Sequence, residues 1–130
     1  MNSQGFLFDI MKLIVAGSRN FNDFKFITKK LDQLLSETRE EVEIVCGQCR
    51  GVDELGEAYA IHNHYKVTFF PADWENEGKA AGFRRNKRMA EYATHCVCFW
   101  DGKSAGTKLM IDLAKEYNLI LRIINLNPHG

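Results

Sequence analysis

Short apolar runs alternate with longer amphipathic stretches along this chain, and the spacing of the apolar positions changes from one kind to the other. Lys12-Leu13-Ile14-Val15-Ala16, closed by Gly17, reads as a strand covered on both faces. From Phe24 the apolar residues fall at Phe24, Ile27, Leu31, Leu34 and Leu35, a helical stripe that Asn22 or Asp23 can cap. Residues 42–46 read as the second strand. Val52, Leu55 and Tyr59 then repeat at helical spacing behind Gly51, and residues 66–70 predict a third strand ending at Pro71. A loop centred on Asp73-Trp74 precedes a predicted helix over 79–93. The fourth strand is His95 to Trp100, a further helix covers 107–117 with Leu109, Met110, Leu113, Ala114 and Tyr117 on one face, and the last strand is 119–125.

Strands that alternate with helices argue for an α/β fold, because each crossover between parallel strands must return over a face of the sheet. The expected architecture is a single Rossmann-like, three-layer domain with a five-stranded parallel sheet in the order 3-2-1-4-5. In that order the chain reverses its direction of travel between strands one and four, and ligands bind outside the carboxyl ends of the strands there. Residues 12–130 are assigned to this domain and residues 1–11 to an N-terminal leader. Repeats and low-complexity stretches are absent from the sequence.

Three glycine turns follow three of the predicted strands: Gly17-Ser18-Arg19, Gly47-Gln48-Cys49-Arg50-Gly51 and Gly102-Lys103-Ser104-Ala105-Gly106-Thr107. Glycine permits positive φ and close approach of a ligand, so such turns point amide N–H groups inward. Ahead of helices they also aim helix N-termini at an anion. Together they describe one phosphate-sized pocket at the switch point.

At 130 residues the chain suits one domain, and 45% apolar against 26% charged residues is an ordinary globular balance. Seventeen basic residues offset seventeen acidic ones. Such neutrality supplies no general field for a polyanion, so nucleic acid is not expected as the main partner and neither is a membrane. The apolar runs fall far short of the ~20 residues of a membrane span, and a cytoplasmic location is expected. Cys46 and Cys49 have the C-x-x-C spacing of zinc sites, but Cys96 and Cys98 lie two apart in a strand and pack as small hydrophobes. No metal site is assigned, and no cofactor. His62, His64, His95 and His129 fall in no ligand or triad spacing, and no Gly-x-Ser-x-Gly elbow surrounds Ser18.

Five motifs occur in order: Gly17-Ser18-Arg19; Gly47-x-x-Arg50-Gly51-x-Asp53; Pro71-Ala72-Asp73-Trp74; Ala81-Gly82-x-x-Arg85-Asn86-x-x-Met89; and Ser104-x-Gly106-Thr107. Across residues 12–125 they resemble the SLOG superfamily in its YspA-like, cpYpsA-related branch. That superfamily includes the lonely-guy phosphoribohydrolases, the DNA-processing protein A group and nucleotide-sensing domains. The resemblance implies a Rossmann-like nucleotide pocket and a homodimer; it does not fix a reaction.

The lonely-guy enzymes carry an arginine before the fourth strand and a Gly-Gly-x-Gly-Thr-x-x-Glu motif after it. Arg85 matches the arginine and Gly106-Thr107 the turn, but Met110 stands where the glutamate belongs. Loss of that carboxylate removes the anion that stabilises an oxocarbenium-like transition state. Asp53, Asp73 and Asp101 are the candidate substitutes, with bland alternatives as a helix N-terminal charge, a turn cap and a turn residue. Arg85 and Asn86 are expected to hold the ligand, while Arg84, Lys87 and Arg88 form a solvated face. Ser18, Arg19, Ser104 and Thr107 supplement the backbone donors of Gly17, Gly47, Arg50, Gly51 and Gly106. Trp74 is a candidate base-stacking residue; Tyr59 and Phe83 read as core.

The expected function is therefore binding or sensing of a nucleotide-type small molecule. One alternative is hydrolysis of the N-glycosidic bond of a nucleoside 5′-monophosphate through a substitute carboxylate. A second is a module that binds single-stranded DNA through the basic cluster around Arg85.

Overall fold

The computed structural model describes residues 9–47 and 51–126. Five parallel strands form one sheet: β1 (Ile10–Gly17), β2 (Glu41–Cys46), β3 (Lys66–Phe69), β4 (His95–Trp100) and β5 (Ile120–Asn125). Their order is β3-β2-β1-β4-β5, as the alternation of elements predicts. β1 lies at the centre, with Ile14 opposite Val45 on one side and opposite Cys96 on the other. Strands buried this way carry apolar residues at successive positions, and Leu13, Ile14 and Val15 are all buried.

Two helices cover one face of the sheet, α1 (Phe24–Leu35) and α2 (Val52–His62). Ile27 and Leu31 from α1 and Val52, Tyr59 and Ala60 from α2 pack on Leu13, Val15 and Ile44. Asp23 is the cap of α1, its carboxylate accepting from the Phe26 amide at 3.1 Å. The buried Tyr59 hydroxyl donates to Asp32 at 2.7 Å and ties α2 to α1.

The other face is covered by α4 (Ala81–Tyr92) and α5 (Ala105–Glu116), whose Met89, Ala90, Met110, Ile111 and Ala114 pack on Ile14, Ala16, Val45 and Cys98. The buried Cys96 and Cys98 thiols lie 3.5 Å apart on that face, while Cys46 points into the opposite layer. This separation removes them from one another as metal ligands. Cys49 and His129, and with them half of the C-x-x-C pair, lie outside the described residues.

Several boundaries differ from the sequence reading. β1 begins at Ile10, so Ile10 and Met11, assigned to the leader, pair with Glu41 and Val42. The Asp73-Trp74 loop is a short helix, α3 (Trp74–Glu77), because the Asp73 carboxylate accepts from the Asn76 amide at 3.2 Å and starts the turn. The segment predicted as one helix over 79–93 opens as a 3₁₀ turn, Gly78–Ala80, that runs on into α4, and Gly78, with a φ of 58°, ends α3 just before it. Phe83, expected in the core, is 48% exposed. Ala81, Arg85 and Met89 take the inward stripe of α4, and Phe83 falls off that stripe.

Candidate functional site

A cleft of about 330 Å³ opens at the carboxyl edge of β1 and β4, where the chain's path across the sheet reverses. It collects residues from four separate stretches of sequence. Gly17, Ser18, Arg19 and Asn20 follow β1; Asp53 opens α2; Arg85, Asn86 and Met89 come from α4; Ser104, Ala105, Gly106, Thr107 and Met110 come from the start of α5.

Ser18 is the junction of this end of the fold. Its amide donates to the Phe99 carbonyl at 3.2 Å, and its carbonyl accepts from the Val52 amide at 3.1 Å. The turn after β1 is thereby fixed to the end of β4 and to the first residue of α2. Gly51, which precedes α2, has a φ of 78°, a left-handed conformation that costs any residue with a Cβ.

Arg85 is only 6% exposed although it is charged. Its Nε donates to the Asn86 side-chain oxygen at 2.8 Å, and one terminal nitrogen donates to the carbonyl of Gly47. A Cβ at residue 47 would lie 2.6 Å from that terminal nitrogen, so the glycine there makes room for the guanidinium. Gly47 and Gly51 therefore shape the cleft from behind it.

The first turn of α5 presents the amides of Ala105, Gly106 and Thr107, which have no carbonyl one turn earlier in the helix to bind. Such a turn attracts an anion. Ser104 occupies the cap position, but its hydroxyl donates to Asp101 at 3.0 Å instead of capping the helix. Asp101 also accepts from the Ser104 and Lys103 amides, both at 2.8 Å, and these donors hold its carboxyl below the usual range. It is a turn residue outside the cleft lining. Asp73 is exposed, and its hydrogen bonds from the Asn76 side chain and backbone lower its pKa in the same way. Of the three candidate carboxylates, Asp53 alone lines the cleft, 8% exposed in the first turn of α2.

Trp74 also stands outside the lining, 55% exposed. Arg50 lies outside the described residues. The flanking cations divide as their helical positions dictate: Arg84 and Arg88 reach Glu77 at 3.7 and 3.5 Å, Lys87 is exposed, and Arg85 alone turns inward. Asn20 was missed by the sequence reading. Its amide donates to the Ser18 hydroxyl at 3.3 Å, a contact that a serine two residues before an asparagine in a turn could have signalled.

Met89 and Met110, each 1% exposed, form the floor with Ala16. The site thus has polar walls, in which Arg19 and Arg85 stand against Asp53, over an apolar base. Such a surface can hold an anionic group against the α5 turn and Arg85 while an uncharged part of the same molecule covers the methionines.

The family model described as YspA, cpYpsA-related SLOG family matches residues 11–76. The Gene 61 protein of Mycobacterium phage D29 is 31% identical over 103 residues, covering 75% of this chain and 82% of that protein. Among solved structures, DNA processing protein A from Streptococcus pneumoniae superposes with a TM-score of 0.68 at 17% identity, covering 94% of this chain and 52% of its own. The chain thus spans about half the length of that protein. DNA processing protein A from Helicobacter pylori, which has a unique single-stranded DNA binding mode, superposes with a TM-score of 0.67 at 18% identity, covering 94% of this chain and 68% of its own. These likenesses establish the shared fold.

They also correct the inference drawn from net charge. Neutrality counted against nucleic acid as a partner, yet a protein of this fold, the Helicobacter one, binds single-stranded DNA. Net charge averages over the whole surface, whereas a strand of nucleic acid meets one face of it. No helix among the described residues is long and apolar enough to cross a membrane. By the match of its first half to the family model and by its likeness to the phage protein, the chain belongs to the YspA, cpYpsA-related SLOG family.

Proposed function

We propose that the cleft binds a nucleotide-type ligand by its phosphate. The observation that carries this reading is the convergence, in one cleft, of the first turn of α5, the Ser18 and Thr107 side chains and the buried Arg85 guanidinium. Helix N-terminal amides and a guanidinium are the donors that suit a phosphate's several acceptor oxygens. The volume, about 330 Å³, is at the small end of ligand sites and matches one nucleotide better than a larger cofactor.

The phosphate rests on the α5 turn in this reading, with Arg85 as its counter-charge, and the ribose or base covers Met89 and Met110. Asp53 accepts from a hydroxyl or amine of the same molecule. Hydrolysis of the N-glycosidic bond is the weaker alternative, since Met110 brings no carboxylate and Asp53 is the one lining carboxylate that could replace it. Single-stranded DNA is the second reading, favoured by the fold shared with the Helicobacter protein. Its phosphates would use the same donors.

Ligand-observed proton NMR with the nucleoside monophosphates and a short oligothymidylate tests these together. Saturation transfer to a monophosphate without new free-base signals is the expected result. Free base that disappears in Arg85→Ala would make the chain a phosphoribohydrolase, and transfer to the oligonucleotide alone would favour the DNA reading. No transfer to any of them contradicts the proposal.

A further inference from the structure

Six large apolar side chains are exposed among the described residues, and they divide by type. Ile61, Ile120 and Ile123 are scattered over α2 and β5, whereas the aromatics Phe69, Trp74 and Phe83 all belong to the stretch that leaves β3 at the carboxyl edge and enters α4.

Trp74 is exposed and yet fixed. The Asp73 carboxylate accepts from the Asn76 side chain at 2.9 Å, and the Glu77 amide donates to the Asp73 carbonyl at 2.8 Å. Glu77 in turn receives Arg84 and Arg88 from α4, so the short helix is clamped at both ends. The indole leans on Gly82, where a Cβ would lie 3.4 Å from Cη2. Gly82 stands three and four residues before Arg85 and Asn86, one turn up the same stripe of α4. The indole therefore lies beside α4 one turn before the cleft residues Arg85 and Asn86, outside the lining.

Resting on the nucleotide reading of the cleft, we infer that Trp74 is a stacking platform for a second nucleobase, and that the ligand contains at least two nucleotides joined through phosphate. A planar, apolar base is the occupant that suits an exposed indole.

The test compares AMP with the dinucleotide 5′-phosphoadenylyl-adenosine by calorimetry on the wild-type chain, Trp74→Ala and Trp74→Phe. Base stacking on an aromatic predicts about tenfold or more tighter binding of the dinucleotide to the wild type, an advantage lost in Trp74→Ala and largely kept in Trp74→Phe. Quenching of tryptophan fluorescence by the dinucleotide beyond that by AMP is the accompanying signature of a base on the indole. Equal affinity of the two ligands for the wild type, or an advantage that survives Trp74→Ala, overturns the inference and leaves the nucleotide site standing. Failure of AMP and the dinucleotide alike to bind overturns both.

Discussion

Arg85 reaches across from α4 to donate to the carbonyl of Gly47 at the end of β2, two residues 38 apart in sequence. The contact crosses the sheet's carboxyl edge and sets the guanidinium into the cleft. It also ties the shape of residue 47 to that of the cleft.

Gly47→Ala should therefore damage binding more than folding. The new Cβ would lie 2.6 Å from the guanidinium nitrogen and 2.9 Å from Cζ, atoms at the far end of a flexible side chain that can move aside. We expect a fall in melting temperature of at most about 5 °C, near 1 kcal/mol in a chain of this size, with at least a tenfold loss of AMP affinity. Thermal unfolding and calorimetry on one preparation measure both. Unchanged affinity would dissociate Arg85 from the ligand.

Gly51→Ala should cost folding stability outright, unlike Gly47→Ala. The backbone there has a φ of 78° and a ψ of −129°, a region that costs a residue with a Cβ about 1–3 kcal/mol, and the new Cβ would also lie 2.3 Å from the Ser18 carbonyl oxygen. Urea unfolding should record that loss in full. A variant as stable as the wild type would contradict the turn geometry.

Tyr92→Phe should move the acid limb of stability. Glu43 is buried in β2, which by itself would raise its pKa, but hydroxyl donors from Tyr92 and Thr68 and the nearby Lys66 outweigh burial and hold it below the ordinary value. A carboxylate depressed on folding adds stability that is present above its unfolded pKa, about 4.3, and is lost as pH falls through the lower folded value. Removing the Tyr92 donor should cost about 1–3 kcal/mol at neutral pH and raise the pH at which acid unfolding begins. Denaturant midpoints from pH 2 to 7 check this; superimposable acid limbs would refute it.

Salt should weaken oligonucleotide binding only gently if the α5 turn and Arg85 form a single phosphate subsite. Each neutralised phosphate of a single strand contributes about 0.7 to the slope of log affinity against log salt, so a slope between about −0.7 and −2 is expected. A value near −5 would require a broad basic surface in place of one cleft.

Much of the cleft was legible because the rule that places a crevice at the switch point needs only the order of elements. Ser18, Asp53 and Thr107 follow a strand or start a helix at the same edge, Arg85 lies in the second turn of α4, and the fold brings the four together. Asp73 and Asp101 were ambiguous for a local reason. An aspartate three residues before an amide donor caps a turn whether or not a ligand stands nearby, and both carboxylates are spent on Asn76 and Ser104. Phe83 was misread because its apolar character was weighed above its position on the helix. The Glu43–Tyr92 hydrogen bond was not legible at all, since it spans 49 residues and depends on how α4 lies over β2.

Calorimetry of AMP against adenosine, on the wild-type chain and on Arg85→Ala, tests the phosphate site most directly. The account predicts that AMP binds at least about a hundredfold more tightly than adenosine, close to 3 kcal/mol, and that Arg85→Ala removes most of the difference. Equal affinity for AMP and adenosine would contradict it, because a cleft that ignores the phosphate cannot be the site described here.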